Sequence, residues 1–259
     1  MPSPAPTTPP TLADGLRGLG LRRTAADLSD FLTRATRSRW SPAVLLEELV
    51  RAEAQDRARR SRARRLSRAR RGRFKPMADF EWAWPKTRDR EAVERVLALG
   101  FLERGANLLL AAAQGLGKTM LAKHVAHQAL LGGAQVLCVT AADLLLDLGG
   151  QETTRALERR LRHSVEPRLL RIDELGYLTF DNRAADLLFQ VVSRRYERRS
   201  SLVTTNLAFK DWGTIFPNAT CVTALIDRLT HHAEIITIAG ESYRRREAEA
   251  AQKARRVQA

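Results

Sequence analysis

The stretch NLLLAAAQGLGKT, residues 107–119, constrains this chain more than any other. An apolar run meets Gly-x-Gly-Lys-Thr and passes into a helix-forming segment, KTMLAKHVAHQALL, at 118–131. A strand, a glycine loop and a helix in that order make a phosphate-binding loop, because backbone N–H groups gather at a helix N-terminus, where an anion is favoured. Gly115 and Gly117 permit the backbone angles and the close approach. Lys118 can reach terminal phosphates, and the Thr119 hydroxyl can meet Mg²⁺. Ala112 stands where such loops usually open with glycine. The contacts offered by residues 115–119 do not depend on its methyl group, so nucleotide binding is expected to survive. The candidate nucleotide-binding set is Ala112, Ala113, Gln114, Gly115, Leu116, Gly117, Lys118, Thr119 and Met120, with ATP and Mg²⁺ as cofactors.

From residue 107 onward, strand-like and helix-like patterns alternate. Strands are expected at 107–111, 135–139, 168–172, 201–205 and 234–238. Helices are expected at about 89–103 and at 118–131, 141–148, 153–163, 181–198 and 222–230. Such alternation implies a parallel sheet covered by helices on both faces. The third strand ends in RLLRIDELGYL. There Asp173 can hold Mg²⁺, usually through water, and Glu174 can orient and activate the attacking water. Arg171 interrupts an otherwise apolar strand and is open to pairing with an acidic neighbour. Asn206, in TTNLAF, emerges at the strand edge where open α/β sheets bind ligands, and could hold the water or sense a γ-phosphate. Arg228, in TALIDRLTHHAEIITI, reads either as a surface partner of Asp227 or as an arginine supplied to the nucleotide of a neighbouring subunit. His231 and His232 invite a metal site, but no cysteine or carboxylate cluster near them in sequence supports one.

The charge points to a partner. Lys and Arg number 44 against 29 Asp and Glu, a formal charge of +15 and a pI near 11.0, which favours a polyanion, most simply nucleic acid. The excess is concentrated. Residues 11–74 read as helical, with Thr24 able to cap AADLSDFLTRAT and Ser41-Pro42 a good helix start. Residues 51–75 then carry eleven arginines and one lysine, opposed only by Glu53 and Asp56. Arg59, Arg60, Arg62, Arg64, Arg65, Arg68, Arg70, Arg71 and Arg73 are the candidate contacts to double-stranded DNA. The expected division is a disordered tail at 1–10, a basic helical DNA-binding domain at 11–74, a connector at 75–100, a nucleotide domain at 101–245 and a basic tail at 246–259. Cys138 and Cys221 have apolar surroundings and no partners at zinc spacing, which fits a reducing compartment. No apolar run approaches the ~20 residues of a membrane span, and MPSPAPTTPP lacks the features of a signal peptide. A cytoplasmic, nucleoid-associated protein is expected.

The strings GLGKTMLA, IDELGYL, VTTNLAFKDWGTIF, LIDRLTHHA and GESYR, in this order, resemble the IstB family. These are ATP-binding helpers of insertion sequences, related to the DnaC-type loaders of replicative helicases. The resemblance spans residues 12–245 or so. It implies an AAA+ domain with a five-stranded parallel sheet of order 5-1-4-3-2, preceded by a small helical, arginine-rich domain. It gives Asn206 the sensor-1 role and Arg228 the arginine-finger role, and so implies a homo-oligomer. It also implies assembly on DNA with ATP, a transposase encoded alongside as partner, and DNA-stimulated ATP hydrolysis that times disassembly and that two departures from the pattern are expected to make slow. Ala112 and Arg171 depart from the family pattern, and Arg244 is a conceivable sensor-2 residue. The alternatives are a helicase loader and a structural DNA-binding protein with a weak nucleotide site.

Overall fold

The computed structural model describes residues 11–70, 90–177, 179–216, 220–240 and 242. Two compact units divide within one helix, between Arg64 and Arg65.

The first unit is helical. Helix α1 (Leu12–Gly18) opens on a capping box, in which the Thr11 hydroxyl accepts from the Asp14 amide and the Asp14 carboxylate accepts from the Thr11 amide. Helices α2 (Arg22–Ala26), α3 (Leu28–Arg37) and α4 (Pro42–Arg68) follow, α4 starting at the expected proline. Phe31 and Ala35 of α3 are buried, and the Phe31 ring meets Trp40 edge-on at 5.8 Å. The expectation that Thr24 caps a helix is corrected. Thr24 lies in the first turn of α2, and its backbone amide donates to Glu53 Oε1 of α4 at 2.7 Å. Leu21, at the N-cap position, has no side-chain acceptor, so an orphan first-turn amide takes a carboxylate from another helix. That explains why Glu53 is buried inside so basic a segment. Asp56, also buried, accepts from Arg59 at 2.7 Å and Arg60 at 2.6 Å.

The second unit is built on five parallel strands: β1 (Leu108–Ala112), β2 (Val136–Thr140), β3 (Leu169–Leu175), β4 (Ser200–Thr205) and β5 (Glu234–Ile238). Their order is β2-β3-β4-β1-β5, the order implied by the resemblance, read from the other edge. Helices α7 (Lys118–Leu131), α8 (Ala141–Gly149), α9 (Thr154–Val165), α10 (Asn182–Arg195) and α11 (Val222–Thr230) fall near their expected positions. Thr140, Thr153 and Asp181 cap α8, α9 and α10 with side-chain oxygens. The single helix expected at 89–103 is two, α5 (Arg90–Leu97) and α6 (Gly100–Glu103), because Leu99 between them takes a left-handed φ of 65°. Helices cover both sheet faces, so the strands are mostly apolar on both. Leu108 and Leu110 pack with Leu121, Val125 and Ala129 of α7. Leu109, Ile172 and Val203 pack with Leu145, Leu188, Val191 and Leu225 on the opposite face. At the β2 edge, the Cys138 amide donates to the carbonyl of Ala69 at 2.9 Å, and Ala69 itself is fully buried. No helix among the described residues is long and apolar enough to cross a membrane.

Arg195 ends α10, three residues before the expected boundary, and is 1% exposed. Among the described residues it has no carboxylate partner. Its guanidinium donates to the carbonyls of Ser164, Val165, Pro167 and Ser200 and to the Ser201 hydroxyl, tying the end of α9 to the starts of β3 and β4. Burial, and secondarily the Arg199 charge, push its pKa down to about 9, which leaves it charged at neutral pH. Arg195→Met should destabilise the fold by roughly 3 kcal/mol or more, since several buried carbonyls lose their donor at once. Urea unfolding would show this as a lower midpoint, and an unchanged midpoint would remove the staple reading.

Candidate functional site

The glycine loop joins β1 to α7. Gly115 (φ 78°) and Gly117 (φ 86°) both take left-handed backbone angles that favour glycine. Ala112 does not: it is the last residue of β1, paired with Ile238 of β5, with a buried methyl. The usual glycine is dispensable here because the chain has not yet begun its turn. Lys118 is buried and folds back over the loop, its Nζ donating to the carbonyls of Ala112 at 2.6 Å and Ala113 at 2.8 Å. An ammonium held across its own loop is placed to exchange those carbonyls for phosphate oxygens. Gln114, Leu116 and Met120 complete the loop and the first turn of α7, with Leu116 buried.

The sheet order sets β4 between β1 and β3, which brings the remaining groups to one edge. Asp173 of β3 is buried and fully engaged. Its Oδ1 accepts from Thr119 Oγ1 at 3.2 Å and from the Thr204 hydroxyl; its Oδ2 pairs with Arg171 Nη2 at 3.3 Å. The opening for an acidic neighbour beside Arg171 is thus filled by Asp173 itself. Thr204 also accepts from the Glu174 amide at 3.0 Å, which steadies a break in the strand. Glu174 takes a left-handed φ of 65°, the β3–β4 register shifts between Ile172 and Leu175, and the Glu174 side chain turns outward from an otherwise buried strand. Thr204 was not singled out from sequence; the doubled threonine of TTNLAF is the only signal it left. Thr119 and Asp173 together offer hard oxygen donors, a hydroxyl and a carboxylate already within 3.2 Å of each other, and that donor set fits Mg²⁺.

Asn206 follows β4. Its Oδ1 is buried without a hydrogen-bond partner among the described residues. A Cβ on Gly176 (φ 115°) would come 2.7 Å from that oxygen, so glycine two residues after Glu174 is what lets Asn206 lie there. An unsatisfied buried acceptor at this sheet edge suits a bound water. A Cβ on Gly115 would collide with the Ser242 hydroxyl, which places Ser242 against the phosphate loop. Arg244 lies outside the described residues, as do Arg71 and Arg73.

The described structure does not bring Arg228 into this cluster. It sits near the end of α11, its guanidinium 4.7 Å from the Phe189 ring centre, with no ion pair to Asp227 among the described residues. Asn107, immediately before β1, donates to the carbonyls of Arg228 and Leu229. Arg228 is thereby fixed near the start of β1, whereas the phosphate loop leaves its end. Glu197 comes within 3.9 Å of His231 and 3.8 Å of His232, a carboxylate that sequence distance had hidden. All three side chains are exposed, and His231 Nδ1 is already engaged by the Tyr196 hydroxyl.

A five-stranded parallel sheet of this order, with a phosphate loop after β1 and an Asp-Glu pair on β3, defines an AAA+ P-loop ATP-binding protein. The chain belongs to the IstB-like ATP-binding protein family, which it matches over residues 14–251. It is 38% identical over 173 residues to the ATP-binding protein of insertion sequence IS5376 from Geobacillus stearothermophilus, covering 67% of this chain and 69% of that protein. To the ATP-binding protein of IS21 from Pseudomonas aeruginosa it is 37% identical over 183 residues, covering 71% and 69%. Among solved structures, DnaI has a similar fold (TM-score 0.52, 19% identity, 65% of this chain and 94% of that one). So does replication initiator DnaA bound to AMPPCP and single-stranded DNA (TM-score 0.51, 16% identity, 60% and 47%).

Lys118→Ala should abolish binding of a fluorescent ATP analogue, whereas Ala112→Gly should change its affinity only modestly. Equal binding by the Lys118 variant and the wild type would dismiss the loop as the nucleotide site.

Proposed function

We propose that this protein is an ATP-dependent, DNA-binding helper of transposition that assembles on target DNA, engages or regulates a transposase encoded alongside, and uses ATP hydrolysis to time its own disassembly. The observation that carries the reading is the meeting of Lys118, Thr119, Asp173, Thr204 and an outward Glu174 at one sheet edge, in a chain of the insertion-sequence family. In this reading Lys118 and the loop amides hold the phosphates. Thr119 and Asp173 hold Mg²⁺, which neutralises phosphate charge, Glu174 activates the water and Asn206 orients it. Arg228, held away from its own loop, acts on the nucleotide of the next subunit, so turnover needs a homo-oligomer and reports on assembly. The protein works in the cytoplasm, on nucleoid DNA, and its hydrolysis is slow and DNA-stimulated.

The arginines of α4 supply sequence-independent phosphate contacts. They are not equivalent. Arg59 and Arg60 are partly neutralised by Asp56, whereas Arg57, Arg62 and Arg64 are exposed with no acidic partner among the described residues. Replacing Arg57, Arg62 and Arg64 together with glutamine should lower the slope of log affinity for duplex DNA against log salt by roughly 3 units, about one per contact. Replacing Arg59 and Arg60 should lower it by less than 2. An unchanged slope in the triple variant would move DNA binding away from this helix.

The shared site is tested by mixing. Glu174→Gln and Arg228→Ala should each bind ATP and hydrolyse poorly, since a trans arginine is worth ~10³-fold or more in rate. Mixed, the Arg228→Ala subunit keeps Glu174 and receives Arg228 from its neighbour, which rebuilds one complete site. DNA-stimulated phosphate release should peak at intermediate ratios. A straight line between the pure variants, with mixed assembly verified, would mean that Arg228 does not act in trans.

A further inference from the structure

Arg171 is the least expected side chain in the nucleotide domain. It lies in register between Cys138 of β2 and Leu202 of β4, in the apolar layer under α7. It is 5% exposed, and its Nε and Nη1 are buried with no hydrogen-bond partner among the described residues. A guanidinium with two unpaired donors in such a place is costly. Its one ion pair among the described residues is to Asp173 Oδ2 at 3.3 Å, one pleat further along the same strand face. Asp173 is the carboxylate read above as part of the cation site, and its other oxygen faces Thr119. A single buried carboxylate therefore stands between a fixed positive charge and the place where a divalent cation is to sit.

We propose that Arg171 is a built-in counter-ion of the cation site. It holds Asp173 when no divalent cation is bound and opposes the cation's charge when one is, so that the site discriminates weakly between free and Mg²⁺-bound ATP. This rests on the nucleotide-site reading of the preceding section. The direction follows from Coulomb's law inside a poorly screened interior: a fixed positive charge attracts the unneutralised tetra-anion and repels Mg²⁺. Neutralising residue 171 weakens the first effect and relieves the second.

The quantity that isolates this is the ratio of the Kd for a fluorescent, non-hydrolysable ATP analogue in EDTA to its Kd in saturating Mg²⁺. General damage to the fold affects both terms and cancels in the ratio. Arg171→Met should raise the ratio about tenfold or more, a conservative figure for one charge acting on a divalent ion at short range. Arg171→Gln removes the charge but keeps an amide to hydrogen-bond Asp173; it should show the same rise and serves if the Met variant does not fold. Arg171→Lys restores a cation and should return the ratio to within about twofold of the wild type. A ratio in Arg171→Gln that is unchanged or lower overturns the inference, while loss of binding in Lys118→Ala keeps the nucleotide site intact as a reading. If Lys118→Ala binds as tightly as the wild type, the nucleotide site and this inference fall together.

Discussion

The site is organised around one buried carboxylate. Burying Asp173 is tolerable only because both of its oxygens are served, by hydroxyls from α7 and β4 on one side and by a guanidinium from its own strand on the other. Each partner fixes something else. Thr119 ties Asp173 to the first turn after the phosphate loop. Thr204 ties it to the middle strand of the site and, through the Glu174 amide, sets the point at which β3 breaks. The break turns Glu174 outward, and Gly176 then leaves room for Asn206. An outward carboxylate, an unsatisfied amide oxygen and a hydroxyl–carboxylate pair are thus positioned by contacts that converge on one residue.

What the sequence made legible was whatever depends on short-range pattern. Strand and helix alternation, the glycine loop and the Asp-Glu pair at a strand end are all local signals, and the strands fall close to their expected positions. What it hid depends on register or on distant partners. Thr204 reads as an ordinary β-former until β4 is laid beside β3. Thr24 resembles a cap, yet the acceptor at that helix start comes from Glu53, 29 residues later. Glu197 is far from the histidines in sequence because β4 and α11 both intervene. The helix break at Leu99 leaves no glycine or proline at the turning residue to announce it.

The departure at Ala112 and the departure at Arg171 have different physical standing. Ala112 still belongs to the strand, in a backbone conformation that any residue adopts, and its methyl adds to the apolar layer. Arg171 adds a charge to that same layer, against its polarity, and that charge lies against Asp173. The first change is neutral for the site's electrostatics. The second alters the field in which a nucleotide and its cation would bind.

The elements that would connect one subunit's nucleotide to the next are continuous in sequence. Arg228 lies in the last turn of α11, a two-residue turn carries His231 and His232, and β5 begins within a few residues. β5 then runs alongside β1, pairing Ile238 with Ala112 at the mouth of the phosphate loop, and Ser242 reaches across to Gly115. If Arg228 acts on a neighbouring site, as proposed, the segment that offers it is the same one that backs and covers its own loop. Ser242 and the end of β5 lie against that loop, and β5 is only a short turn from the arginine. Asn107 ties the last turn of α11 to the start of β1, and β5 pairs with β1 as far as Ala112, so the two ends of a single strand carry the arginine's helix and the loop.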